Sequence, residues 1–125
     1  VAADHASFGL SEVKRGIIPA NGGTQRLPQQ LPHAIAMEML LLGEMVPAEE
    51  AARMGLVNRV VAAGSALREA KRLAAVIASK STATIRIGKR AFYEQREMDL
   101  AEAYDHASAV MVENMLARDA EEGIG

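Results

Sequence analysis

Cysteine and tryptophan are both absent from this 125-residue chain, and its aromatic fraction is only 3%. Without cysteine there is no disulfide staple, no thiolate nucleophile and no cysteine-ligated zinc site, a composition compatible with a reducing compartment. With so few aromatics, Ala, Leu, Ile, Val and the seven Met must fill the interior, which favours close helix packing over a β-sandwich. Charge of one sign is missing too. The formal net charge is −2, with both signs mixed along the chain, so there is no basic stripe to neutralise phosphates and nucleic acid is not expected as a partner. No uninterrupted apolar run reaches the ~18 residues of a membrane span, and no secretory leader pattern opens the sequence. Neither a G-x-x-x-x-G-K phosphate loop nor a G-x-G-x-x-G turn after a strand occurs, which removes the two common nucleotide cradles. These absences predict a soluble, cytoplasmic protein. The hydrophobic fraction of 50% suffices for one modest core.

The most informative stretch is FGLSEVKRGIIPANGGTQRL, residues 8–27. It places a carboxylate, Glu12, shortly before a loop suited to close backbone approach. Pro19 fixes φ and lacks an N–H, Asn21 tolerates a left-handed backbone, and Gly22 and Gly23 let main chain approach another group. Thr24, Gln25 and Arg26 then begin a short helix, whose first N–H groups are expected to be free to face an anion or a polarised oxygen. On the residues alone, a Glu followed by a glycine turn is more often a solvated carboxylate and a helix entry than a proton-transfer site. Asp4 and His5 are read as a solvated or hydrogen-bonded pair in a polar lead-in.

The short helix must end near Leu31, since a residue before proline is pushed away from helical geometry. A helix over residues 33–42 follows, apolar on nearly every side except at Glu38, and it needs burial all round. Gly43 is its natural cap. His33 has no second ligand at i+3 or i+4 and is read as a surface or capping residue. Pro47 opens another short helix, with Glu49 and Glu50 in its first turn and Gly55 after its end. Residues 56–61, LVNRVV, carry the clearest strand signal. A strand cannot stand alone, so this one is expected to pair outside the chain.

After Gly64 the chain reads as helical. Ser65 can cap a helix with Leu67, Ala70, Leu73, Ala74 and Ile77 on one face. A second helix over residues 83–96 buries Ile85, Ile87, Ala91 and Phe92 in part, and Gly88 inside it costs ~1 kcal/mol relative to Ala. Asp99 and Glu102 form a capping box for a third helix. That helix carries Leu100, Ala103, Tyr104, Ala107, Met111 and Met115 as a stripe, with Tyr104 and His106 read as interface or core residues.

The Glu12 segment, followed by PAEEAARMGLVNRVV at residues 47–61, resembles the enoyl-CoA hydratase/isomerase (crotonase) superfamily. The match runs from about Ala6 to the last residue and covers only the C-terminal half of such enzymes, so the chain is read as a fragment. The resemblance implies an α/β fold: the C-terminal part of a crotonase-like ββα spiral, mostly helical, with one clear short strand. It divides the chain into residues 1–63, the end of the core with the Glu12 loop, and residues 64–125, a helical trimerisation region. It implies hydration of a 2-enoyl-CoA thioester, with the fragment inactive alone; the alternatives are an isomerase, a carnitinyl-CoA-type dehydratase (LPHAIAMEM, residues 31–39, is similar to those enzymes) and a non-catalytic, self-associating helical module. Glu12 falls where the family's second catalytic Glu lies, with Ser11 in place of the common Pro. Ala20 falls where a main-chain N–H holds the catalytic water. The family needs no cofactor, since CoA is part of the substrate, and no metal; an acyl-CoA substrate and a homotrimer or dimer of trimers are the implied partners.

Overall fold

The computed structural model describes residues 1–117. Contacts divide the chain into two units, Val1–Arg72 and the part from Leu73 onward.

In the first unit, α2 (His33–Leu42) begins after Pro32 and ends at Gly43, whose φ of 62° suits glycine and, among residues with side chains, few besides Asn. The next helix, α3 (Ala48–Met54), starts at Pro47, carries Glu49 and Glu50 in its first turn and ends at Gly55. Before them lies α1 (Gly23–Arg26), continued by a 3-10 turn over Leu27–Gln29. These elements fall where the sequence places them.

The strands do not. Among the described residues, four two-residue strands occur: β1 (Ala2–Ala3), β2 (Ser7–Phe8), β3 (Val46–Pro47) and β4 (Val60–Val61). β1 runs parallel to β4, with Ala2 opposite Val60, and β2 runs antiparallel to β3, with Phe8 opposite Val46. The strand expected over residues 56–61 is therefore confined to Val60–Val61, and its partner lies within the chain. The Ala2 N–H donates to the Arg59 carbonyl at 2.9 Å and the Asp4 N–H to that of Val61 at 2.8 Å. Residues 56 and 57 have another task. Their N–H groups donate to the Ala51 carbonyl at 2.9 and 3.2 Å, closing the end of α3 where helix carbonyls lack internal partners.

The core has two joined clusters. Ala48 and Ala51, both fully buried, let α3 lie close to β2 and β3 with Ala2 and Val57. Leu27, Leu31, Ala36 and Met39 form the other cluster, and Val46 and Leu56 pack against both. The expectation that α2 is enclosed all round does not hold. Ala36 and Met39 are buried, whereas Leu41 and Leu42 stay 63% and 50% exposed, because packed neighbours within this chain reach only one side of the helix.

α4 (Ala66–Ala78) carries the division between the units. Near its start, the Glu69 carboxylate accepts from Arg59 Nη1 at 2.8 Å and from Arg72 Nε and Nη2, both at 2.8 Å. Ser65 stands just ahead, its hydroxyl accepting from Arg68 Nη2.

From Leu73 onward, α5 (Thr82–Glu94) and α6 (Leu100–Met115) are joined through a 3-10 turn, Gln95–Glu97. The Ser81 hydroxyl caps α5 by accepting the Thr84 N–H, and Asp99 and Glu102 form the expected capping box on α6. Ile87 is buried and Ala91 half-buried, while Ile85 and Phe92 keep 41% and 58% exposure. Along α6 the half-buried positions are Ala103, His106, Val110 and Asn114. The stripe of large apolar residues, Leu100, Tyr104, Met111 and Met115, is exposed. No helix among the described residues is long and apolar enough to cross a membrane.

Candidate active site

Glu12 sits in a five-residue 3-10 turn, Ser11–Arg15, that closely follows β2. The turn is held from both ends. Leu10, its first flanking residue, packs against the Leu27–Met39 cluster. Gly16, with φ 73°, closes it by donating its N–H to the Val13 carbonyl at 3.1 Å. The Glu12 side chain is half-buried, and among the described residues neither a cation nor a hydrogen-bond donor claims its carboxylate.

A run of backbone bonds leads from Glu12 to Ala20. The Ile17 N–H donates to the Glu12 carbonyl at 3.3 Å, and the Ala20 N–H donates to that of Ile18 at 2.8 Å, closing a tight turn around the buried Pro19. The Ala20 amide, which the resemblance casts as the holder of the catalytic water, is thus engaged with a carbonyl in this conformation. The expectation of free N–H groups at the start of α1 is corrected at one of them: the Thr24 N–H donates to the Pro19 carbonyl at 3.2 Å, because the loop folds back to supply an acceptor, while the Arg26 N–H makes the ordinary first helical bond to the Gly22 carbonyl at 2.8 Å.

Both glycines of this loop are required by geometry. Gly22 has φ 110°, and a Cβ on Gly23 would come within 2.9 Å of Pro19 Cβ and 3.0 Å of Leu10 Cδ1. The close approach read from the sequence is therefore an approach to the chain's own side chains. An open groove of about 230 Å³ lies beside it, lined by Leu10, Gly22, Gly23, Arg26 and Leu27 among others, but not by Glu12 or Ala20.

The remaining candidates behave as bystanders. His5 Nδ1 is 3.3 Å from Asp4 Oδ1 in an exposed pair, and His33 is exposed at the first position of α2. His106 Nε2 lies 3.3 Å from Glu94 Oε2 across α5 and α6, a structural contact. Sequence reasoning missed the Arg59–Glu69–Arg72 cluster, although the i, i+3 spacing of Glu69 and Arg72 was a visible signal.

Comparison with known proteins gives this arrangement a context. The sequence profile of the family described as enoyl-CoA hydratase/isomerase matches residues 1–125. The mitochondrial enoyl-CoA hydratase domain-containing protein 3 of Rattus norvegicus is 40% identical over 124 residues, 99% of this chain and 41% of that protein. A carnitinyl-CoA dehydratase of Escherichia coli is 40% identical over 114 residues, 91% of this chain and 44% of the relative. Among solved structures, an enoyl-CoA hydratase from Mycobacterium tuberculosis superposes with a TM-score of 0.91 at 37% identity, covering 98% of this chain and 48% of that one. The chain thus spans about half the length of the relatives it matches, and its fold is the corresponding part of theirs. It belongs to the enoyl-CoA hydratase/isomerase family.

Proposed function

We propose that this chain supplies one catalytic carboxylate, Glu12, to an enzyme that adds water across the C2=C3 bond of a 2-enoyl-CoA thioester. In that reaction the oxygen of water bonds to C3, a proton is delivered to C2, and the thioester oxygen carries negative charge in between. Glu12 acts with a second carboxylate to hold the water and move its proton. The observation that carries this reading is an uncommitted, half-buried carboxylate on a turn fixed at both ends, in a chain of this family. Ala20 assists only if its N–H shares or gives up the bond to Ile18. The oxyanion donors and the second carboxylate come from outside residues 1–125, so the chain alone is expected to be inactive. The same reading makes the exposed stripe on α6 a contact between copies, in a homotrimer or dimer of trimers working in the cytoplasm.

A second reading, dehydration of a carnitinyl-CoA-like substrate, is favoured by the 40% identity to a carnitinyl-CoA dehydratase. It uses Glu12 in the reverse direction. One experiment tests the shared premise. In a polypeptide of full family length carrying this segment, Glu12→Gln keeps the size of the side chain and removes the base. The chemical step should slow by ~10²–10⁴ with little change in substrate affinity. A variant within a few-fold of the parent on both crotonyl-CoA and a carnitinyl-CoA substrate would overturn the role of Glu12.

A further inference from the structure

The end of α2 is pressed against the turn that bears Glu12. Gly43 is buried, and a Cβ built on it would lie 2.7 Å from Val13 Cγ1, 3.3 Å from the Leu10 carbonyl oxygen and 3.4 Å from Lys14 Cγ. Real side chains essentially never approach a Cβ as closely as 2.7 Å. Residues 10, 13 and 14 bracket Glu12 on both sides along the chain. In a 3-10 turn, positions three apart stack on one edge, so residues 10 and 13 form one edge against α2 while Glu12 belongs to another. A second glycine repeats the pattern. A Cβ on Gly9 would lie 2.8 Å from the Glu44 carbonyl oxygen and 2.7 Å from Met45 Sδ. Gly9, Leu10, Val13 and Lys14 thus lie so close to residues 43–45 that neither glycine has room for a Cβ.

We propose that Gly43 is a positioning residue for Glu12: its missing side chain is the seat of the catalytic turn, and the end of α2 sets where the carboxylate stands. This rests on the reading of Glu12 as a proton-transfer group. Two separate demands meet at Gly43. Its φ of 62° ends α2, and its lack of Cβ seats Val13. Only the second demand concerns Glu12. Displacement of a positioned catalytic group by about 1 Å can cost ~10²-fold in rate, so an added methyl here should act on turnover rather than on binding.

The test separates the two demands in a polypeptide of full family length. Gly43→Ala should lower kcat by ~10–10²-fold with KM nearly unchanged. Val13→Ala removes the atom the new methyl strikes, so the double variant Gly43→Ala/Val13→Ala should recover most of the lost kcat, while both Gly43→Ala chains keep the helix-end strain and a similarly lowered melting temperature. Where Gly43→Ala does not fold, Gly43→Asn tolerates the left-handed backbone while keeping the same Cβ, and it should show the same kcat loss and rescue. A kcat that stays near the parent's in a folded variant, or a loss that Val13→Ala does not relieve, would overturn the proposal. Glu12→Gln measured alongside keeps the two readings apart. If it is inert, the role of Glu12 fails; if it is slow while Gly43→Ala is not, only the seat fails.

Discussion

Among the described residues, all the buried apolar side chains but one lie at or before Val57, most of them in two clusters bridged by Val46 and Leu56, whereas the part from Leu73 onward buries only Ile87. The first unit is held by contacts between residues far apart in sequence: β1 with β4, Ala6 with Ala48, the Glu12 turn with Gly43. The second relies on helix caps and on polar side-chain pairs between its two long helices. Ser81 and the Asp99–Glu102 box cap its helices, an ion pair joins Arg90 to Glu113 across α5 and α6, and His106 Nε2 lies 3.3 Å from Glu94 Oε2. Caps and ion pairs fix helix ends but bury little apolar surface, so Leu100, Tyr104, Met111 and Met115 remain exposed as a stripe. Single exposed apolar residues are ordinary, and under the proposed function this stripe is where copies of the chain meet.

The largest stability effect that tests this contrast is truncation of one methionine in each unit. Met39 is 5% exposed and Met111 is 58% exposed. Met39→Ala should destabilise the first unit by about 2–5 kcal/mol, combining lost transfer energy with a cavity. Met111→Ala should change stability by no more than ~0.5 kcal/mol when the chain is dilute enough to be monomeric. Denaturant unfolding followed by circular dichroism, with light scattering at the same dilution, measures both. Comparable losses in the monomer would break the contrast. A Met111→Ala loss that appears only as concentration rises would sharpen it, by showing that copies of the chain cover the stripe.

A middle-sized effect belongs to the second unit alone. Asp99→Ala removes the acceptor of the Glu102 N–H, a bond of 2.9 Å, and undoes the reciprocal box. The expected cost is ~1 kcal/mol, seen as faster hydrogen exchange in the first turn of α6. In the first unit α2 and α3 offer no matching change, since they begin at Pro32 and Pro47 without a side-chain cap. Unaltered exchange in that turn would mean that packing against α5, rather than the cap, holds the start of α6.

The same contrast explains what could be read from the sequence. Caps and breakers act within a few residues, so α2, the glycine ends of α2 and α3 and the Asp99 box were legible, as was the presence of a carboxylate before a glycine turn. Pairings between distant residues were not. Nothing in Ala2–Ala3 announces a strand, and it becomes one because Val60–Val61 offers a ladder. Leu56 and Val57 have strand propensity, but the open carbonyl of Ala51 takes their N–H groups first. On α6 the eye follows the large side chains, while the half-buried edge within the chain consists of Ala103, His106, Val110 and Asn114. At the site, the sequence shows that Gly22 and Gly23 permit a close approach. It does not show that Gly43, some thirty residues beyond Glu12, makes the approach that matters for the turn.

The smallest expected effect concerns an ion cluster of the first unit that spans a sequence gap, Arg59 with Glu69 and Arg72. The Arg72 guanidinium, bonded to Glu69, holds the Glu69 carboxyl pKa down from 4.5 to about 2; burial opposes the shift and Arg59 adds to it. A carboxyl with a lower pKa folded than unfolded leaves the folded chain with fewer bound protons between those two values, so stability rises with pH across that window. The contribution is complete above pH 4.5 and is lost as pH falls toward about 2. The effect is modest because solvent reaches the cluster, with Arg59 at 48% and Arg72 at 53% exposure, and screens the pairs. Glu69→Gln should therefore flatten the stability curve between pH 4.5 and about 2 and leave its shape at higher pH unchanged, with the wild-type slope shrinking in high salt. Parallel curves for the two proteins across that window would mean that Glu69 has the same pKa folded and unfolded. In that event the cluster adds nothing to the pH dependence, and the first unit is held by its buried core, whereas the second leans on its caps and polar pairs.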